Sequence, residues 1–248
     1  MGLRGISTVA VALVASLLVA DPSIAQTAEE YRQRAIELSR TKSWDEAIAN
    51  YHKALALDDN DALTHSNLAL TLKYKGDARQ SVDEFEATLR LKPKWAEAHY
   101  GLGATWYDLQ DLEGARKELR TAVELNPGNA DSHRLLARVY AQQNDPTSAD
   151  RELRRALQYK PSAEIHFELG LAEGQLGNLE TAATQFREAI HLNQGLAQAH
   201  AMLGVTLRRQ GKHVEARDFL SPICRLFAEG FETRDLNEAK SLLADLAQ

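Results

Sequence analysis

Apolar residues recur along the chain at intervals of three and four. Leu102, Trp106 and Leu109 form one such stripe, and Leu119, Ala122 and Val123 form the next. That spacing marks one face of an α-helix. Short polar breaks divide the stripes: Gly76-Asp77, Gly177-Asn178 and Gly211-Lys212. The pattern predicts short helices in pairs, with turns at the glycines. Asp145-Pro146 predicts an N-cap followed by proline in the first helical turn. Ser43-Trp44-Asp45-Glu46 predicts a capping box, in which the serine and Glu46 would satisfy each other's backbone N–H groups. A proline after the second helix of a pair stops it before the next pair begins.

The pairs repeat. Pro93, Pro127 and Pro161 are each 34 residues apart, and His65, His99, His133, His166 and His200 step by 34, 34, 33 and 34. Three residues after each histidine stands a leucine: Leu68, Leu102, Leu136, Leu169 and Leu203. A small residue always follows it: Ala69, Gly103, Ala137, Gly170 and Gly204. Further columns read Ala47, Ser81, Ala115, Ala149, Ala182 and Ala216, then Tyr51, Phe85, Leu119, Leu153, Phe186 and Leu220, then Ala54, Thr88, Ala122, Ala156, Ala189 and Ile223. With this period and these columns the chain resembles the tetratricopeptide repeat (TPR) family. The units run 28–61, 62–95, 96–129, 130–162, 163–196 and 197–230, inside an array spanning 26–230. The resemblance implies an all-α, right-handed α-solenoid of about six helix-turn-helix units. A helix pair of this length cannot bury a core alone, so each unit depends on its neighbours. Arg34 and Asp59 depart from the pattern in the first unit and Ala228 in the last, as expected of ends with one face unstacked. Glu173 replaces an aromatic in the internal fifth unit, which no end effect explains.

Both termini differ from the array. Arg4 precedes a run from Gly5 to Ala20 without a charged residue, and Ser23 and Ala25 stand at −3 and −1 of a cut before Gln26. This is the three-part pattern of a secretory signal peptide, expected over residues 1–25. An uncleaved membrane anchor is the alternative, although 16 uncharged residues fall short of the ~20 that span a bilayer. The chain is therefore expected to be exported, and periplasmic if its source is bacterial. Once the signal is cleaved, no stable membrane span is expected. At residues 231–248, Leu236, Ala239, Leu242, Leu243 and Leu246 recur at helical spacing, which resembles a C-terminal capping helix.

Composition narrows the chemistry. Among 248 residues, 29 are basic and 35 acidic, for a formal charge of −6. A nucleic-acid binder shows a basic footprint, so no nucleic-acid partner is expected. The single cysteine, Cys224, excludes an intrachain disulfide and a cysteine-rich metal site. It reads as a small buried group, with an intermolecular disulfide as the other use. The histidines do not make a metal site, because equivalent positions in stacked units lie at least one helix spacing apart. They fill the large slot of each first helix; titration near neutral pH is a second use. No nucleophile, zincin or phosphate-loop motif is present, and paired carboxylates such as Asp58-Asp59 fall at helix ends. No catalytic residue, metal or cofactor is expected.

The resemblance instead points to the concave groove. Its lining positions on the first helices carry Lys73, Tyr74, Tyr100, Tyr107, Arg134, Arg138, Phe167, Arg208 and Arg209. The full lining set sums to +2 inside an acidic protein. Exposed rings supply contact area, and guanidinium groups bind carboxylates or backbone. The family's terminal-carboxylate clamp is not intact: Asn67 matches it, but Arg32, Ile36, Glu97 and Gly101 do not. The expected role is a non-catalytic scaffold or adaptor for a peptide segment or partner protein, in envelope assembly or secretion. An accessory subunit positioning a glycan- or peptide-modifying enzyme, and a self-assembling solenoid, are the alternatives.

Overall fold

A computed structural model describes residues 27–228, with side chains through Leu220. The expected signal segment 1–25, the capping helix 231–248 and the Cys224 side chain lie outside the described residues. In sequence order the helices are α1 (Ala28–Arg40), α2 (Trp44–Leu57), α3 (Ala62–Lys75), α4 (Ala78–Leu91), α5 (Ala96–Asp108) and α6 (Leu112–Leu125). They continue as α7 (Ala130–Gln142), α8 (Pro146–Tyr159), α9 (Ala163–Gln175), α10 (Leu179–Leu192), α11 (Ala197–Arg209) and α12 (His213–Ala228). The described residues form no strand. Each odd helix packs along the even helix that follows, and each even helix packs on the next odd one. The result is an all-α solenoid of six stacked hairpins.

The repeated columns make the core. Tyr51, Phe85, Leu119, Leu153, Phe186 and Leu220 are all buried to 2% exposure or less. Leu119, Phe186 and Leu220 fill the hollows left by Gly103, Gly170 and Gly204 on the preceding odd helix, and Phe85 abuts Gly101 on the following one. A Cβ added at Gly170 would lie 2.6 Å from Phe186 Cε1. Burying a side chain of this size contributes about 1.5–3 kcal/mol, so six such plugs are a large share of the array's cohesion.

The turn inside each hairpin needs one residue in the left-handed region. Gly76, Gly177 and Gly211 meet it at φ of 102°, 83° and 76°, while Lys42, Gln110 and Asn144 occupy the same slot at 61°, 62° and 58°. Asp145 caps α8 as expected: its Oδ1 accepts from the Ser148 N–H at 3.0 Å, and Pro146 opens the helix. The expected capping box at Ser43 does not form. Ser43 precedes α2 but makes no side-chain capping bond: its ψ of 64° falls with the 57° and 63° of the uncapped Asp77 and Asn178, short of the 78° at which Asp145 caps. Its hydroxyl lies 3.3 Å from that of Thr41 instead. The reciprocal box forms at α1, where Thr27 N–H donates to Glu30 Oε2 at 2.8 Å and Glu30 N–H donates to Thr27 Oγ1 at 3.2 Å.

In the second to fifth hairpins the histidine column ties the two helices together. The Nδ1 atoms of His65, His99 and His133 lie 2.6, 2.7 and 2.7 Å from carboxylate oxygens of Glu84, Glu118 and Glu152. Their Nε2 atoms face the carbonyl oxygens of Asp59, Pro93 and Pro127 at 3.2, 3.0 and 2.9 Å. Both ring nitrogens thus face oxygen atoms of the same hairpin or the turn before it. In the fifth unit Gln185 replaces the carboxylate at 2.8 Å from His166 Nδ1. Glu173, unexplained by the repeat pattern, is buried and accepts from Arg154 Nη2 and, at 2.7 Å, from Asn178 Nδ2.

Candidate functional site

The odd-numbered helices form the inner side of the array. The pairs α1–α3, α3–α5 and α5–α7 touch across successive units, and no two even-numbered helices do so to that extent. The residues predicted for the groove therefore share one surface, but they divide into three groups.

The first group is structural. Lys73 Nζ is 2.6 Å from Asp108 Oδ2, and Arg134 grips Glu168 with Nε at 3.0 Å and Nη2 at 2.8 Å. Each link joins a helix to its counterpart one unit along. The Glu168 bond holds the Arg134 proton more tightly than usual, against the opposing effect of burial. Arg32 is likewise engaged, by Glu29 and Asp61. Lys73 and Arg134, expected to face a partner, meet carboxylates supplied by the groove itself. Tyr100 is half-buried and packs, as Ala104 and Tyr107 do, against a core cluster that includes Leu135. Burial, followed by the nearby Asp131 charge, pushes its phenol above the ordinary value.

The second group lines a central cavity of about 310 Å³ between α7, α8 and α9, reached by α5. Ala137, Ala141, Ala149 and Ala172 leave the space, Leu153, Phe167 and Leu171 wall it, and Gln142 and Gln175 stand at its edge. Phe167 is held by a tilted contact with the buried Phe186, at 5.8 Å between ring centroids. Tyr107 forms the far wall: its hydroxyl accepts from Gln142 Nε2 at 2.7 Å, and the Arg138 guanidinium lies 5.2 Å above its ring. Arg138 is exposed and carries no ion pair among the described residues. The third group joins neither. Tyr74 stands near the N-terminal end, at 71% exposure. Arg208 is partly buried, and Arg209 donates to the Gly174 carbonyl at 3.3 Å.

A second cavity, of about 690 Å³, opens between α1, α2 and α3. Its walls include Tyr74 with Lys42 and Trp44, two residues that the groove positions do not contain. Lys42 lies in the hairpin turn and Trp44 begins an even-numbered helix, so a register drawn on first helices misses both. One signal was available: Trp44 is an aromatic where the other units have Ala78, Leu112, Pro146, Leu179 and His213.

What this surface can do is bind. Both cavities combine apolar and aromatic walls with polar groups at the rim, the form of a peptide-side-chain pocket. Among the described residues no three His, Cys, Asp or Glu side chains gather as a metal site. No described helix is long and apolar enough to cross a membrane.

Fold and surface together define a helical-repeat protein of the kind that generally works by interaction rather than catalysis. A family model described as tetratricopeptide repeat matches residues 66–130, 134–197 and 172–229, and a second TPR model matches 38–76. The chain belongs to the tetratricopeptide repeat family. Solved structures share its fold. A Pseudomonas aeruginosa pilF structure aligns at a TM-score of 0.71 with 16% identity, over 86% of this chain and 96% of that one. YrrB, a TPR protein described as having an unusual peptide-binding site, aligns at 0.67 with 22% identity, over 77% and 97%. MamA aligns at 0.63 with 24% identity, over 67% and 92%. No curated protein matches the chain by sequence.

Proposed function

We propose that the chain is a non-catalytic scaffold that holds an extended segment of a partner protein along its odd-numbered helices. One apolar side chain of that segment sits in the central cavity. The observation that carries this reading is the meeting of Tyr107, Arg138 and Phe167, from three successive units, around one apolar hole. Small residues make the hole, and a stacked cation and side-chain amides surround it. A peptide-binding site in YrrB, a protein of the same fold, supports it. The basic start, apolar run and small-residue ending of residues 1–25 support an exported scaffold. We place its work in envelope assembly or secretion, in the periplasm if the source is bacterial.

The test is a site-directed photo-crosslink. A benzophenone amino acid at Ala141, on the cavity edge, should capture a discrete partner from the native envelope fraction. Tyr107→Ala with Phe167→Ala should remove that product while circular dichroism shows the fold kept. A product that survives the double substitution refutes the central cavity as the working surface. Detection of Gln26 as the mature N-terminus tests export.

A further inference from the structure

The N-terminal cavity has a chemistry of its own. Trp44 and Tyr74 face each other across it, with ring centroids 6.4 Å apart and planes within 19°. Ile36 and Leu70 complete the apolar walls. The apolar surface continues along α3, where Leu63, Leu70 and Tyr74 are 40%, 38% and 71% exposed and fall on one helical face. Exposed apolar groups in one stripe beside a cavity mark an interaction surface rather than scattered surface residues.

Charge fixes what fits there. Arg40 and Lys42 stand on the rim and make no ion pair among the described residues. The acids nearest in sequence to the two rings are engaged elsewhere: Lys75 Nζ holds Asp45 at 2.9 Å and Asp77 at 3.0 Å. This contrasts with Arg32, Lys73 and Arg134, whose carboxylate partners come from the array itself. Two hydroxyls at the floor of the cavity already have backbone partners. Ser39 Oγ donates to the Ala35 carbonyl at 2.9 Å, Thr71 Oγ1 donates to that of Asn67 at 2.8 Å, and the two hydroxyls lie 2.9 Å apart. The aromatic and aliphatic walls suit a ring, and the two cations at the rim suit an anion.

We infer that this cavity is a second binding site, for an internal segment of a partner protein in which an aromatic residue is followed by acidic ones. The aromatic ring enters beside Trp44 and Tyr74, and the acidic side chains meet Arg40 and Lys42. A chain terminus is not required, because Arg32 is already filled by Glu29 and Asp61 and offers no cradle for a terminal carboxylate. The site shares no lining residue with the central cavity, so the two stand or fall separately.

The experiment is fluorescence anisotropy with the whole protein and a labelled peptide, N-acetylated and C-amidated, carrying Phe-Asp-Asp between Gly-Ser flanks. It should bind at least tenfold more tightly than the Phe-Asn-Asn and Ala-Asp-Asp versions, and more weakly as salt rises. Arg40→Gln with Lys42→Gln should erase the preference for Asp over Asn. Glutamine is compatible with both backbones, since Gln110 occupies the left-handed slot equivalent to Lys42. Tyr74→Ala should erase the preference for Phe over Ala, and Arg138→Ala at the central cavity should change neither. Equal binding of the Asp and Asn peptides, a preference that survives loss of both cations, or no binding up to millimolar peptide overturns the assignment. Tighter binding of a peptide ending in a free phenylalanine carboxylate overturns it in favour of terminus recognition. Loss of binding in Arg138→Ala alone overturns it and favours the central cavity.

Discussion

Alanine in place of glycine has opposite expected effects at two positions of one helix, α9. At a helix interior position alanine is favoured over glycine by about 0.8–1 kcal/mol. At Gly174 that gain is unopposed, because an added Cβ meets only the Ala182 Cβ, at 4.0 Å. At Gly170 the added Cβ would lie 2.6, 2.8 and 3.0 Å from three atoms of the Phe186 ring. That ring is 1% exposed and cannot swing into solvent. Overpacking of this kind costs about 1–3 kcal/mol, which exceeds the propensity gain. Gly170→Ala should therefore lower stability by up to about 2 kcal/mol, while Gly174→Ala raises it by up to about 1 kcal/mol because it lies near the helix end. The assay is urea unfolding followed by circular dichroism, comparing midpoints and slopes, since repeat arrays can unfold in parts. A Gly170→Ala protein as stable as wild type would show that Phe186 does not plug that gap, and the account of unit packing would fail.

Three further outcomes follow from the same geometry. Gln110→Gly should stabilise the chain by about 1 kcal/mol, because Gln110 sits at φ 62° where glycine carries no Cβ penalty; an unchanged urea midpoint would contradict it. Asp145→Ala should cost about 1 kcal/mol through loss of the Ser148 N–H bond, whereas Ser43→Ala, which removes no capping bond, should be nearly neutral; equal losses at both would refute the assignment. Burial pushes the Glu152 carboxyl up, but the His133 hydrogen bond and the Arg155, His133 and Arg151 charges outweigh it and hold the group below 4.5. A depressed carboxyl stabilises the fold above its unfolded value and loses that contribution as pH falls through the folded one. Between pH 5 and 3 the wild-type midpoint should therefore fall more steeply than that of Glu152→Gln, and parallel curves would remove the pair from the acid response.

The repeat columns made the hairpins and their stacking legible because they are local and redundant. A plug such as Leu119 and a small partner such as Gly103 recur at a fixed offset, and six copies average out any one exception. Site residues lack that redundancy. Arg134 reads as a free cation along the chain, and only stacking brings Glu168 to it from the next unit. Glu173 reads as a defect until Arg154 and Asn178 converge on it. The Ser43 box fails for a backbone reason, the ψ of one residue after a left-handed turn, which residue types alone do not specify.

The sequence by itself determined the period, the helix pairs, the turn slots and the face that each first helix shows to the groove. All of these depend on residues within about one unit, where helical spacing translates position directly into side-chain direction. The tertiary structure decided which charges are spent and which remain available, and where small residues leave a hole. It also brought a turn lysine and an even-helix tryptophan to the groove's N-terminal end. Those facts depend on the distance between neighbouring units. That distance is set by how side chains from different units fill one another's gaps, and no single unit contains it.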